Sequence, residues 1–386
     1  MPHRFGIDRE ADSRWLALTR AIYHGARSLD AALARFPSPE ALLGAESPKS
    51  AYPWLDALQK AVADAPFAPV PKAWLEGPPV HLITTHDASY PLLLAECNDR
   101  PPFLFVRGNL DCLNSATVSV VGTRKPSLDG RRATEEYTRA LAHAGLTVVS
   151  GLALGVDGLA HTAAVIAGAQ TIAVLPSGID RIYPDRHQPL AGEIMMSGAL
   201  VSEFPLGTAP RRHHFYRRNR TLSGFSAATL VIEAGRPSGT LITASAAADQ
   251  GRDVLALPWS VYHAEGAGCR YLLEDGAILT QSTEALLLHL GVDAARRPAA
   301  SDAALVADDS AQRHLLSPQQ KHLVRLLGCG SYAADDLAVA LGWPIDQCLA
   351  TLVDLEVRGW VSQCEGGYRV IRDSRSFAPG GVTALW

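Results

Sequence analysis

The chain has 386 residues, of which 47% are hydrophobic and 19% are charged, and its net charge at pH 7 is −4. This composition is typical of a globular protein of two or three domains and excludes a disordered chain. No run approaches the roughly 20 apolar residues that a membrane span requires, and the charged N-terminus does not match a signal peptide. We therefore expect a cytoplasmic protein without a membrane anchor.

The cysteines are scattered along the chain, and none belongs to a Cys-x-x-Cys pair. This spacing favours reduced, buried thiols and argues against a structural zinc site. We therefore predict neither a metal nor a cofactor. The cysteines are Cys97, Cys112, Cys269, Cys329, Cys348 and Cys364.

Two stretches without hydrophobic periodicity divide the chain into three parts. Residues 64–72 contain three prolines, and residues 293–314 are rich in alanine and aspartate. We predict a helical domain of the SAM or helix-hairpin-helix type over residues 1–65, an enlarged Rossmann-like domain over 75–292, a linker over 293–314 and a winged-helix domain over 315–372.

The N-terminal part carries short helical patterns over residues 15–23, 29–36 and 39–43. Apolar residues recur there at helical spacing, and positive and negative charges nearly balance. These patterns predict a small helical bundle, and no residue in it indicates a particular chemistry.

The central part alternates apolar, β-branched runs with amphipathic stretches. Apolar strands that alternate with helices predict a mostly parallel sheet covered on both faces. The predicted helices are Gly130–Ala144, Val156–Ala167 and Thr240–Gly251. The predicted strands are Val80–Thr84, Phe103–Arg107, Thr117–Val121, Leu146–Ser150, Thr171–Leu175, Leu200–Glu203, Thr229–Glu233, Val254–Leu257 and Ile278–Leu279.

The C-terminal part contains three helical runs followed by two strand-like segments around a turn. The runs are Pro318–Leu327, Ala334–Leu341 and Ile345–Arg358, and the turn is Cys364–Gly367. Three helices and a β-hairpin in this order predict a winged helix.

Residues Arg211–Arg220 combine five arginines with two aromatic residues. Because the whole chain is acidic, this segment must attract an anion locally. Planar guanidinium groups suit phosphates, and aromatic rings suit stacked bases. The segment falls between two predicted strands, where we expect a loop, and a solvated charged loop without a ligand is the alternative interpretation.

Ligands of a doubly wound sheet bind beyond the carboxyl ends of its strands. Four loops there have anion-site chemistry: those that begin at Gly122, Gly151 and Ala234, and the Arg211–Arg220 segment. None matches a dinucleotide or Walker motif, and no nucleophile elbow or paired carboxylate occurs among them. These loops are therefore expected to hold a polyanion without cleaving it.

Two polar residues follow Gly151 closely, at positions 157 and 161. Asp157 is expected to cap the next helix. His161 lies within that helix, and we interpret it as a packed histidine rather than a base.

Further motifs lie between about residues 80 and 280: Tyr90–Leu94, Pro101–Phe105, Gly108–Asn109, Val121–Arg124, Ser150–His161, Thr171–Gly178, Tyr183–Pro184, Ser202–Glu203, Arg218–Arg220 and Ser238–Ala244. In this order they resemble the DNA processing protein A (DprA, or Smf) family of single-strand DNA binders. The resemblance implies a cytoplasmic, non-enzymatic homodimer that binds and protects incoming single-stranded DNA and loads the RecA recombinase in natural transformation.

The four loops and the resemblance together select the candidate site. The dimer interface is expected at Tyr271, Leu272 and Leu273, in an apolar segment after the penultimate large strand. The expected partners are single-stranded DNA, RecA and a second copy. The residues expected to bind single-stranded DNA are Gly122, Thr123, Arg124, Lys125, Gly151, Leu152, Ala153, Arg211, Arg212, His214, Phe215, Arg218, Asn219, Arg220, Ser238, Gly239 and Thr240.

Two alternatives belong to other functional classes. Phosphoribohydrolases of nucleoside monophosphates have a similar fold, but Thr243 stands where their loop carries the catalytic glutamate. A duplex-binding regulator would use the winged helix, whose third helix carries Asp346, Asp354 and Glu356. Acidic residues on that helix would repel the phosphates of a duplex.

Overall fold

The structure, a computed structural model, describes residues 2–25, 41, 59–60, 63, 77–292, 316–327, 332–357, 360–364 and 367–370. The chain forms two compact units, Met1–Arg297 and Pro298–Trp386. The domain boundary predicted near residue 65, the linker predicted over 293–314 and the helical patterns over 29–36 and 39–43 lie outside the described residues, apart from Ala41.

The first unit is built on a ten-stranded sheet with the order β1-β2-β3-β7-β6-β5-β4-β8-β9-β10. Seven neighbouring strands, β7-β6-β5-β4-β8-β9-β10, pair in parallel, which confirms the predicted fold class. The three strands at the other edge are antiparallel. The strands are β1 His3–Arg4, β2 Val80–Thr84, β3 Phe103–Gly108, β4 Thr117–Val121, β5 Thr147–Ser150, β6 Thr171–Val174, β7 Ala199–Ser202, β8 Ala228–Val231, β9 Asp253–Ala256 and β10 Ile278–Leu279.

Helices cover both faces of this sheet, so the residues of the central strands are buried. Every residue of β4, β5 and β6 is buried, which explains why these strands consist of apolar and β-branched residues apart from Ser119 and Ser150. The helices are α1 Arg9–Gly25, α2 Leu92–Ala95, α3 Leu128–His143, α4 Val156–Ile166, α5 Gln188–Ser197, α6 Arg212–Gly224, α7 Gly239–Asp249, α8 Ala267–Glu274 and α9 Thr283–His289.

The first helical pattern of the sequence is α1, and it packs onto the sheet. Trp15, Leu16 and Leu18 on α1 share one apolar cluster with Leu82 and Phe105 from β2 and β3. The described N-terminal residues therefore contribute to the core of the first unit.

The start of α4 differs from the prediction. Gly155, with φ 78°, precedes the helix, and a Cβ there would overlap the carbonyl of Thr123. Asp157 lies in the first turn and accepts a hydrogen bond from the backbone N–H of Ala153 at 3.4 Å. The predicted capping role of Asp157 is wrong, because the tight turn requires glycine at the position of the cap.

The loop predicted at Arg211–Arg220 is also wrong, since α6 begins at Arg212. His214, Arg218 and Leu222 recur every four residues and form the buried side of this helix. Two of these three are polar, so the helical period is hidden from a hydrophobic pattern. The His214 ring fits the interior because Tyr23 Oη lies 2.6 Å from its Nε2 and the Ala209 carbonyl lies 3.0 Å from its Nδ1.

The second unit is the predicted winged helix. It contains α10 Pro318–Leu327, α11 Ala334–Leu341, α12 Ile345–Val357 and a hairpin of β11 Val361–Cys364 with β12 Gly367–Val370. Leu323, Leu337, Leu352, Leu355 and Trp360 form its core. Arg358, the predicted last residue of α12, lies outside the described residues.

Four cysteines of the described residues, Cys97, Cys112, Cys269 and Cys348, are buried and free of disulfides. Burial raises the pKa of the Cys112 and Cys269 thiols to about 12. No single described helix is long and apolar enough to cross a membrane, and only the bent pair α11 and α12 reaches that length and hydropathy together.

Candidate nucleic-acid interface

A pocket of about 560 Å³ lies beyond the carboxyl ends of β4 and β8, where the strand order reverses. The loops after β4, β5 and β8 and the helix α6 all contribute to it. The four segments selected from the sequence therefore meet at one place. The pocket is lined by Val121, Gly122, Thr123, Arg124, Ala153, Asp157, Tyr183, Arg212, Phe215, Tyr216, Arg218, Asn219, Leu222, Ser238, Gly239, Thr240, Ile242 and Thr243.

The loop after β4 is held by Glu233. The backbone N–H of Thr123 donates to the Glu233 carbonyl at 2.7 Å, and the N–H of Ser127 donates to its carboxylate at 2.9 Å. The other carboxylate oxygen lies 2.5 Å from Nε2 of His263. Both ends of the loop that carries Arg124 are therefore anchored to one buried residue, through the Glu233 backbone carbonyl at one end and its carboxylate at the other.

The Phe215 ring is one of three aromatic side chains that line the pocket, with Tyr183 and Tyr216. It is half-buried, and the Arg124 and Arg218 guanidinium carbons lie 5.4 and 5.7 Å from its centroid. The edge of Tyr183 approaches it, with the ring centroids 5.9 Å apart. An aromatic ring beside cations can stack on a base while the cations bind phosphate.

Arg218 lies beneath Phe215 and is only 4% exposed. Its Nη1 lies 3.9 Å from an Asp157 carboxylate oxygen and donates to the Val174 carbonyl at 3.3 Å. Burial raises the pKa of Asp157, and the charge of Arg218 opposes that shift. A Cβ at Gly151 would overlap the guanidinium, so Gly151 makes the space that Arg218 occupies.

The other arginines of the Arg211–Arg220 segment point in different directions, because they lie on a helix. Arg212 lines the pocket. Arg217 pairs with buried Glu203 at 2.5 Å, and Arg220 pairs with Asp99 and Asp249. The segment therefore supplies two pocket arginines, Arg212 and Arg218, rather than a continuous basic surface.

The start of α7 completes the pocket. The Ser238 hydroxyl accepts a hydrogen bond from the N–H of Thr240 at 3.1 Å and thereby caps the helix. The first turn of a helix carries free N–H groups and a positive dipole end, which favour an anion. Asp157 supplies the one carboxylate among the described lining residues, and Arg218 neutralises it.

His161 is packed, as predicted. It is fully buried, its Nδ1 lies 2.8 Å from the Thr171 hydroxyl, and burial lowers its pKa to about 3. It is neutral at physiological pH and lies outside the pocket lining.

Not all predicted binding residues line the pocket. Leu152 is buried in the apolar core with φ 54°, and His214 is buried against Tyr23. The predicted residues that line the pocket are Gly122, Thr123, Arg124, Ala153, Arg212, Phe215, Arg218, Asn219, Ser238, Gly239 and Thr240. Those that do not are Lys125, Gly151, Leu152, Arg211, His214 and Arg220.

Three lining residues that sequence reasoning did not select are Tyr183, Tyr216 and Thr243. Tyr216 directly follows Phe215, and Tyr183 belongs to a Tyr-Pro pair within the family motifs. Both tyrosines could therefore be noticed in the sequence. Because Arg211–Arg220 was predicted as a loop, however, the sequence did not indicate which of its side chains face the ligand.

The residues predicted for the dimer interface are engaged within the chain. Leu272 is buried, Leu273 packs against the same core cluster, and the Arg236 guanidinium carbon lies 4.0 Å from the centroid of Tyr271. The predicted exposed apolar edge is wrong at Leu272, which is buried in the core cluster, whereas Tyr271 and Leu273 are partly exposed. In the preceding loop, Val261 and Tyr262 are 72% and 95% exposed.

Two family models match the chain: DNA recombination-mediator protein A over residues 81–291, and the DprA winged helix domain over residues 293–367. Protein Smf of Escherichia coli (strain K12) is 39% identical over 300 residues, which are 78% of this chain and 79% of that protein. DNA processing protein DprA of Streptococcus pneumoniae is 40% identical over 201 residues, 52% of this chain and 71% of that protein. The X-ray structure of DNA processing protein A from S. pneumoniae matches with a TM-score of 0.54 and 30% identity, covering 73% of this chain and 93% of that chain.

Proposed function

The chain belongs to the DNA recombination-mediator protein A family, and on this premise we propose that it binds single-stranded DNA, without sequence preference, in the pocket between β4 and β8. The observation that carries the proposal is the Phe215 ring with Arg124 at 5.4 Å, in one pocket with Arg212. An aromatic ring stacks on any base, and arginines contact phosphates, so neither contact depends on the base sequence.

We further propose that the protein acts as a cytoplasmic homodimer that protects incoming single strands and helps to load RecA in transformation. This part of the proposal is supported by the resemblance to the DprA family. The pocket chemistry supports a role without catalysis, since the carboxylate of Asp157 is paired with Arg218. Thr243 lines the pocket where a phosphoribohydrolase needs a glutamate, which argues against that enzymatic alternative.

The duplex-binding alternative is disfavoured by the surface of the winged helix. The exposed residues of α12 include Ile345, Leu349, Asp346 and Glu356. A helix that reads a groove needs cations and hydrogen-bond donors towards phosphates and bases. The surface of α12 is apolar and acidic instead.

We expect Arg124→Ala and Arg212→Ala each to flatten the slope of log K against log salt by about 0.7, because each variant loses one phosphate contact to a single strand. The measurement is a titration with an oligothymidine over a salt series, repeated with a duplex of the same length. Arg220→Ala is the matched control, because Arg220 is paired with Asp99 and Asp249 away from the pocket lining. Wild-type slopes in both pocket variants, or tighter binding to the duplex, would contradict the proposal.

We propose that the dimer interface lies in the loop between β9 and α8. We expect Val261→Asp combined with Tyr262→Asp to give a folded monomer in sedimentation, because both side chains are exposed and apolar. A dimer joins two pockets and gains affinity for strands long enough to reach both, so the monomer should lose that length dependence. Ile166→Asp, on an exposed residue of α4, is the control. A wild-type monomer, or an unchanged dimer in the double variant, would refute this part.

A further inference from the structure

The third helix of the winged helix is apolar on two sides. Cys348, Leu352 and Leu355 face the core of the unit and are buried. A second side of the helix, beside the core side, carries four large apolar residues at intervals of four positions. These residues and their exposed fractions are Ile345 42%, Leu349 40%, Val353 52% and Val357 83%.

This row is continuous with the preceding helix. Val339 on α11 is 84% exposed, and a cleft of about 370 Å³ lies between Val339, Trp343 and Ile345. Single exposed apolar residues are common in proteins, but a contiguous apolar row with an adjoining cleft marks a binding surface. We call these residues, Val339, Trp343, Ile345, Leu349, Val353 and Val357, the α12 surface.

The rim of the α12 surface is acidic. Asp335 and Asp336 on α11 and Asp346 and Glu356 on α12 are exposed. Within the part of the chain that the structure describes, none of these carboxylates forms an ion pair, and Asp335 borders the cleft. The exposed side of α12 over Ile345–Val357 carries no lysine or arginine.

The apolar centre and the acidic rim together determine which class of ligand fits the α12 surface. Phosphates of a nucleic acid and anionic lipid headgroups would be repelled by the rim. A second copy placed face to face would bring the same carboxylates together. A protein segment with apolar residues flanked by lysine or arginine packs against the apolar centre and pairs with the carboxylates of the rim.

We propose that the α12 surface docks a basic amphipathic helix of a partner protein. Helices bind apolar grooves through residues at spacings of three and four. The row from Ile345 to Val357 spans about 18 Å at 1.5 Å per residue. A large side chain of the partner fills the cleft beside Trp343, and a neighbouring cation pairs with Asp335.

The test uses the full chain and a fluorescent synthetic helix of about 14 residues, with leucine on one face and lysine on the other. Its affinity is measured by anisotropy for the wild type, Leu349→Glu, Asp346→Lys and Ile166→Glu. Ile166 is the matched control because it is a large apolar residue that is exposed on another helix of the chain. Circular dichroism and affinity for single-stranded DNA verify that every variant is folded.

We expect the basic helix to bind the wild type and Ile166→Glu equally, and to bind Leu349→Glu at least about tenfold more weakly. Asp346→Lys should also weaken binding and reduce its salt dependence, since one attractive charge is removed and a repulsive one is added. A companion helix with glutamate in place of lysine should not bind. Unchanged affinity in Leu349→Glu, or equal binding of the acidic helix, would overturn the proposal.

Two further measurements distinguish other occupants. If wild-type protein sediments with phosphatidylglycerol vesicles and Leu349→Glu does not, the surface binds lipid, and the proposal is wrong. If Leu349→Glu abolishes a self-association of the wild type while Val261→Asp with Tyr262→Asp does not, the occupant is a second copy, and the proposal is equally wrong.

Discussion

Arg218→Ala is expected to lower the free energy of unfolding by about 3–5 kcal/mol, the usual cost of removing one partner of a buried ion pair. The reason is that Asp157 remains in the interior without the guanidinium that lies 3.9 Å from its carboxylate. The Val174 carbonyl also loses its donor. Urea denaturation followed by circular dichroism measures the change.

The loss should depend on pH. Burial already raises the pKa of Asp157 in the wild type, and Arg218 opposes that shift, so its removal raises the pKa further. A folded state that holds a proton the unfolded state has released is destabilised as pH rises through the folded pKa. The difference between variant and wild type should therefore be larger near about pH 8 than near about pH 5.

The second variant in this series is Arg218→Ala combined with Asp157→Asn, which removes the buried charge and should recover much of the lost stability. If Arg218→Ala unfolds at the wild-type urea concentration and only its affinity for single strands falls, Arg218 contacts phosphate directly. That result would restore the hypothesis drawn from the sequence and reject the structural role.

Phe215→Ala is expected to weaken binding of single-stranded DNA by about 5- to 150-fold, which corresponds to the roughly 1–3 kcal/mol of one base-stacking contact. The slope against salt should not change, because no charge is lost. Phe215→Leu should bind as weakly as the alanine variant, since it restores apolar packing without a π face. Phe215→Trp should retain most of the affinity.

Thermal unfolding of the same variants provides the control. Phe215 is half-buried beside Tyr183, so its truncation should change stability much less than it changes affinity. An unfolded Phe215→Ala protein, or a Phe215→Leu variant with wild-type affinity, would show that the ring packs the helix and does not stack on bases.

The parallel part of the sheet was predictable because its strands are buried on both faces. Thr117–Val121, one of these strands, has the bounds expected from its apolar run. The direction of β3 was not predictable in this way. Phe103–Gly108 is as apolar as a parallel strand, yet it pairs antiparallel with β7, since burial alone does not encode direction.

The position of the site followed from topology, but its individual side chains did not. Loops beyond neighbouring parallel strands must meet, which placed Gly122 and Ser238 in one pocket. The burial of Arg218 could not be predicted, because an arginine is expected at the surface unless an acidic partner is known. Its partner Asp157 is 61 positions away in the chain. The burial of Leu272 could not be predicted either, because it depends on how α8 packs against the sheet.

The buried thiols of the first unit have a practical consequence for chemical labelling. Burial raises the pKa of Cys97, Cys112 and Cys269, so each stays protonated and shielded from solvent at neutral pH. Alkylation requires an accessible thiolate. A cysteine introduced by Ile166→Cys, at a position 79% exposed and outside the proposed dimer surface, would therefore react with a maleimide dye far faster than these three native thiols.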